Sequence, residues 1–294
     1  MRFYTFEYEN QVRLGVQWKT QLVDVVTAYR VLLERSPPKS DAGLRRLPAD
    51  LLRVLELGPA ALEATREALN FGSRRPALPV GERLIYSFEE INLRPPLPHS
   101  GKILCAPSPS DGGWFAKMPS AVIGRGDRIR QPCPISQLHC QARLGGVIAN
   151  RTQATAEALA MNCIAGFTIL NDISGSKAGD LQPDEIFINR NFDTFCPLGP
   201  CMITMDELLE SENRKWRMIL NGETVQNGMI GEAIASLPKR LQDISKVMTL
   251  EAGDIIGIAL SRESAISAKT GDRIGIEIDG IGILENHVVE ASKF

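Results

Sequence analysis

The run Gln141-Ala142-Arg143-Leu144-Gly145-Gly146-Val147-Ile148-Ala149 constrains this chain more than any other segment. It reads as a β-strand, and residues two apart on a strand share a face, so Gln141 and Arg143 project together. Just upstream, His139 and Cys140 carry two zinc-type ligands. Adjacent strand residues point to opposite faces, so these two cannot readily hold one ion. They read as a strand histidine and a buried thiol.

Downstream lie Gly166-Phe167-Thr168-Ile169-Leu170-Asn171-Asp172-Ile173-Ser174 and Asn191-Phe192-Asp193-Thr194-Phe195-Cys196-Pro197-Leu198-Gly199-Pro200. Together with 141–149 they resemble signature segments of the fumarylacetoacetate hydrolase superfamily. In that family the first strand reads Glu-x-Glu-Leu-Ala-Val-Val-Ile-Gly. Its two glutamates and the Asp of the Asn-Asp pair hold a divalent cation, which polarises a 2-oxo or 1,3-dicarbonyl substrate. Here the glutamate positions are Gln141 and Arg143, and of the three carboxylates only Asp172 remains. A hard cation wants oxygen ligands, usually anionic ones. A guanidinium stays protonated and repels it. The metal site reads as lost, and neither a metal nor another cofactor is expected.

The resemblance covers most of the chain. Lys102-Ile103-Leu104-Cys105 and Phe115-Ala116-Lys117-Met118-Pro119-Ser120 match the opening of the family's main domain. Thr249 to Ile256, Gly271-Asp272 and 280–286 match its final strands and turns, and 1–24 has its amino-terminal cadence. The implied fold is β-rich α+β. A mixed β-roll or barrel main domain over 99–294 would pack beside a small α+β domain and linker over 1–98, and a homodimer is implied through the main domain.

The departures fall on the site segments. The family's Gly-x-Asn-Tyr-x-x-His lid is replaced by Ala106-Pro107-Ser108-Pro109-Ser110-Asp111-Gly112-Gly113. Its Ser-Ala-Arg-Asp becomes Ser174-Gly175-Ser176-Lys177, and Arg190 stands in its Gly-Lys-Ser-Phe-Asp lysine position. The carboxylate-binding Thr-Gly-Thr-Pro loop is replaced around Ile258-Ala259-Leu260-Ser261. The resemblance places Arg143 and Asp172 in a cavity, where an unpaired charge is strongly unfavourable, so an Arg143–Asp172 ion pair is expected at the old metal position.

Two readings follow. In one, Arg143, Asp172 and Arg190 carry metal-independent chemistry on an enolisable 2-oxo acid or β-dicarbonyl compound, with Gln141, Lys117, Ser174 and Ser176 lining the substrate site. Isomerisation, cyclisation, decarboxylation and C–C cleavage all remain open. In the other, the pair is an inert plug in a catalytically silent protein that binds a ligand or partner. Lys117 lines the pocket or is an exposed strand lysine, and Asp193 reads as structural.

Other features exclude partner classes. A net charge of −2 gives no basic field for nucleic acid or acidic membranes. No apolar run approaches the roughly 20 residues that cross a bilayer. Charges near the amino terminus argue against a signal peptide, and six scattered cysteines without a Cys-x-x-Cys pair suggest reduced thiols in a cytosol. Small carboxylate or dicarbonyl molecules are the expected partners.

Locally, 2–26 reads as a hairpin and 49–70 as helix broken near Gly58-Pro59. A proline-punctuated connector follows, with a short strand near 82–88. Strands dominate from Gly101, interrupted by helices expected at 153–161, capped by Thr152, and at 205–209 and 236–246. Asn221-Gly222 reads as a type I′ hairpin turn.

Overall fold

The apolar bursts at the amino terminus form three antiparallel strands, Arg2–Tyr8, Gln11–Trp18 and Gln21–Asp24. Glu9 and Asn10, with φ of 49° and 60°, close the first hairpin. Two consecutive left-handed residues match the twist of the strands they join. The computed structural model describes residues 1–35, 44–75, 82–106, 113–133, 135–176, 185–209 and 214–291. Pro76 and Pro79 of the connector, Pro107 to Gly112 of the replaced lid, and Lys177 lie outside these residues.

The hairpin reading of 2–26 stops short of a helix, Val25–Arg35, which buries Val25, Ala28, Tyr29 and Val31. Its start is marked by Asp24, whose carboxylate accepts from the Thr27 N–H at 2.9 Å and the Thr27 hydroxyl at 2.8 Å. The expected break in 49–70 is real. Asp50 caps helix Leu51–Leu57, Gly58 ends it, and Pro59 opens helix Pro59–Gly72.

Strand Ile85–Ser87 joins the three amino-terminal strands, and Arg2–Tyr8 pairs with Cys196–Thr204 through Arg2↔Ile203 and Phe3↔Met202. The same mixed sheet continues through Ile164–Ser176, Gln137–Ile148, Ile255–Ala259, Ile103–Cys105 and Phe115–Lys117. Segments on both sides of residue 98 therefore share one sheet. A second sheet runs Glu223–Met229, Lys215–Leu220, Arg273–Ile278, Gly282–Glu290, Arg128–Gln131. The fold is β-rich α+β, and among the described residues neither strand order closes into a barrel.

One helix expectation needs correction, and a second needs longer bounds. Residues 153–161 do not form an α-helix. Thr152 exchanges backbone hydrogen bonds with Leu250, both 2.8 Å, Ala154 sits at φ 48°, and a 3₁₀ helix begins only at Glu157–Cys163. Alanine propensity amounts to tenths of a kcal/mol per residue and yields to that pairing. The 236–246 helix runs Gly231–Val247 with Pro238 in its interior. An interior proline costs about 3 kcal/mol. The buried stripe Ala233, Leu237, Leu241 and Ile244 offsets that cost. Helix Met205–Leu209 and the Asn221-Gly222 hairpin, with φ of 53° and 91°, match expectation.

Gly58 has φ 67° and ψ −141°, and a Cβ there would meet nothing within 4 Å. Gly58→Ala should therefore lower stability through backbone strain alone, by about 1–3 kcal/mol in a urea titration. An unchanged midpoint would contradict this account.

Candidate active site

The two longest strands carry the site. Gln137–Ile148 and Ile164–Ser176 run antiparallel in a register that sets Gln137 opposite Ser176, His139 opposite Ser174, Gln141 opposite Asp172 and Arg143 opposite Leu170. Directly opposed residues point to the same face. Leu138, Cys140, Ala142 and Leu144 face the core, so Gln137, His139, Gln141 and Arg143 share the other face.

On that face Asp172 sits among three cations. Arg143 Nε and Nη2 each lie 3.0 Å from Oδ2, Arg190 Nη1 lies 3.2 Å from it, and Lys117 Nζ lies 3.3 Å from Oδ1. The side chains of Lys117, Asp172 and Arg143 are buried, and Arg190 retains 29% exposure. The expected pair is thus a cluster of four. It replaces the exposed alternative for Lys117, which is 1% exposed.

Arg143 makes its hydrogen bonds inside the protein. Besides Asp172, its Nη1 donates to Ala106 O at 2.7 Å and Gly257 O at 3.5 Å, and Nη2 donates to Gln141 Oε1 at 2.7 Å. A guanidinium has five N–H donors, and the four hydrogen bonds made by Nε, Nη1 and Nη2 here all end on internal acceptors. Lys117 is equally committed, donating to the carbonyls of Ile173 and Arg190 and facing Asp172. Phe115 lies under both arginines, with its ring centre 5.2 Å from Arg143 Cζ and 4.0 Å from Arg190 Cζ. Gly257 leaves room for the Arg143 stem: an added Cβ would meet Cδ at 3.3 Å.

Burial works against ionisation of Asp172, but Arg143, then Lys117 and Arg190, outweigh it and hold the carboxyl at about 2. Burial also works against charge on Arg143, and Asp172 overcomes it, raising the guanidinium above its usual value. The neighbouring thiols are inert. Burial pushes Cys105, Cys140 and Cys196 up to about 12, so none supplies a thiolate at neutral pH.

Of the residues singled out from sequence, Gln141, Arg143, Asp172, Lys117 and Arg190 converge directly. Ser174 and Ser176 lie on the same face, one and two pairs beyond Asp172, and among the described residues neither bonds the cluster. Sequence reasoning missed helix Glu185–Arg190, which delivers Arg190, and the carbonyl acceptors of Ala106 and Gly257. It also set aside His139, whose Nε2 lies 3.1 Å from Ser176 Oγ. The period-2 spacing 139, 141, 143 was the available signal.

The family described as "Fumarylacetoacetate (FAA) hydrolase C-terminal" matches residues 103–289. The chain belongs to the fumarylacetoacetate hydrolase family. It is 30% identical to oxaloacetate tautomerase YisK of Bacillus subtilis, over 98% of this chain and all of the relative. It is 29% identical to the mitochondrial oxaloacetate tautomerase fahd2 of Xenopus laevis, over 83% of this chain and 79% of that protein. Maleylpyruvate hydrolase from Sphingobium sp. SYK-6 has the same fold, with TM-score 0.77, 23% identity, 99% of this chain covered and 100% of that one. A second structure of that hydrolase contains manganese(II) and pyruvate, with TM-score 0.76 and 22% identity over 99% of this chain and 100% of that one.

A divalent ion does not fit this member's residues. Asp172 Oδ2 already accepts from two arginines, and the positions two apart on the facing strand supply an amide and a guanidinium. Among the described residues no group of three or more His, Cys, Asp or Glu side chains could hold a metal. No described helix is long and apolar enough to cross a membrane.

Asp172→Asn leaves Arg143 and Lys117 without their anion, and breaking a buried ion set costs on the order of 3–5 kcal/mol. A urea titration at neutral pH should show that loss. A carboxyl held below its unfolded value contributes stability above that value, and loses it as pH falls through the folded one. The native protein should therefore lose stability between about 4 and about 2, a component absent from Asp172→Asn. Identical acid limbs would overturn the assignment.

Proposed function

We propose that this protein interconverts the tautomers of a small enolisable 2-oxo acid or β-dicarbonyl compound without a divalent metal, fixed cations standing where the family uses an ion. The observation that carries the reading is the convergence of Lys117, Arg143 and Arg190 on the single carboxylate of Asp172, a net of two positive charges within the cluster. Such a site stabilises a carboxylate together with the enolate oxygen that develops during proton removal. The oxaloacetate tautomerases among the relatives support the substrate class. Among the reactions open to such substrates, isomerisation needs no activated water, and the family's lid histidine is absent from 106–113.

The roles divide by accessibility. Arg190 is the cluster member that reaches solvent, and it grips the substrate carboxylate. Arg143 acts as the fixed charge. A substrate oxygen reaches it by displacing the half-buried Gln141 side chain from Nη2. Lys117 holds Asp172 and the end of the Arg190 helix in place. We further propose a homodimer through 99–294, with 1–98 as a cap, working in a reducing compartment such as the cytosol, in keeping with six free cysteines.

A second reading has its own observation. The hydrogen bonds of Arg143 and Lys117 all go to internal acceptors, as an inert plug requires. The decay of enolic oxaloacetate, followed by absorbance in the presence of a chelator, separates the two. The native protein should accelerate it, and chelator should change neither this rate nor the melting temperature. Arg190→Ala should weaken oxalate binding on the order of 10- to 100-fold, the equivalent of one charge-assisted hydrogen bond. Arg143→Met, which leaves Asp172 with Lys117 and Arg190, should stay folded and lose the rate. A native protein that neither binds oxalate nor accelerates enol decay is the plug.

A further inference from the structure

Beyond the ion cluster, the face that holds Gln141 and Asp172 continues to a group that can carry a proton. His139 is the next same-face residue on its strand, opposite Ser174, and its Nε2 lies 3.1 Å from Ser176 Oγ, one further pair along. On its other side it pairs with Ser267 of strand Ile266–Ala268. The ring is half-buried, in contrast to Cys140 beside it, which lies wholly in the core. One strand step of two residues spans about 7 Å. That distance separates the row where the guanidinium groups gather from the row of His139, and it is on the scale of a small oxo acid.

We propose that His139, oriented by Ser176, is the acid/base residue of the tautomerisation, taking the place of the lid histidine this chain lacks. The assignment rests on the metal-free tautomerase reading. A neutral imidazole that donates from Nε2 to Ser176 Oγ leaves Nδ1 as the basic atom. With the carboxylate and the oxo oxygen of the substrate at Arg190 and Arg143, the carbon next to the carbonyl extends toward His139. The imidazole takes a proton from that carbon. The C–H electron pair becomes the carbon–carbon double bond, and the carbonyl π pair moves onto oxygen beside the guanidinium groups. The imidazolium then returns the proton to oxygen, giving the enol, or to carbon, giving the ketone. No oxidant, reductant or water is consumed, and the imidazole ends in its starting state.

Ser176 gives the histidine a partner that serves either ring state, because a hydroxyl both donates and accepts. A purely structural histidine at this position would make the same hydrogen bond, so the test separates chemistry from packing. His139→Gln retains a polar side chain on the strand but removes the base. Its rate of enolic oxaloacetate decay should fall on the order of 10²-fold or more, the usual contribution of a positioned acid/base group. Its oxalate affinity, measured by calorimetry, and its melting temperature should remain those of the native protein. Imidazole added to His139→Ala should restore part of the lost rate, and Ser176→Ala should lower the rate less than His139→Gln. Native rates in His139→Gln, or a rate loss in His139→Ala that imidazole leaves untouched, overturn the role of His139 while leaving the tautomerase reading standing. A native protein without any rate above buffer overturns both.

Discussion

A carboxylate at 1% side-chain exposure is the constraint around which this molecule is arranged. Removing one ion from water costs several kcal/mol even after the protein relaxes, and only close opposite charge or hydrogen bonds offset it. Attraction at about 4 Å is worth about 4 kcal/mol at an intermediate dielectric. Several contacts are therefore needed. Asp172 has three cations, and their own remaining donors must also be satisfied. This second requirement spreads the cluster through the fold, because Lys117 and Arg143 reach the backbone carbonyls of Ala106, Ile173, Arg190 and Gly257. Side chains from three other elements, Phe115–Lys117, Gln137–Ile148 and Glu185–Arg190, meet at one anion.

Replacing an exchangeable ion by fixed side chains changes what the site can do. A divalent ion has open coordination positions that a substrate oxygen can occupy. A guanidinium has a planar fork of five N–H donors, and its charge cannot leave. In this chain the hydrogen bonds of the Arg143 fork all go to internal acceptors, so in the proposed reaction a substrate oxygen reaches it by displacing one of them. The Gln141 amide is the side-chain acceptor able to do so, whereas the carbonyls of Ala106 and Gly257 are tied to the backbone. Arg190, resting on Phe115 at the edge of the cluster, needs no such displacement. This asymmetry is the physical basis on which we propose a substrate-gripping role for Arg190 and a charge-supplying one for Arg143.

Much of the scaffold was legible because its signals are local. The break at Gly58-Pro59 follows from one positive-φ residue and one residue without an N–H, and the Asn221-Gly222 hairpin follows from turn chemistry. The failures were also local readings, overruled by distant partners. The alanines near 154–160 favour an α-helix in isolation, yet Thr152 pairs with Leu250, far away in sequence. The helix expected over 236–246 was found, but it starts earlier, at Gly231, where the buried Ala233 extends its apolar stripe.

The sequence by itself determined the family scaffold, the shared face of Gln141 and Arg143, and the survival of Asp172 without its carboxylate partners. Those conclusions need only residue identity and the two-residue period of a strand. Tertiary structure decided the rest. It brought Lys117 and Arg190 onto Asp172 from segments 55 and 18 residues away. It directed Arg143 Nη1 to the carbonyls of Ala106 and Gly257, from two other segments, and it set His139 against Ser176. Charge compensation and donor saturation depend on atoms a few ångströms apart in space, and spacing along the chain does not encode that proximity.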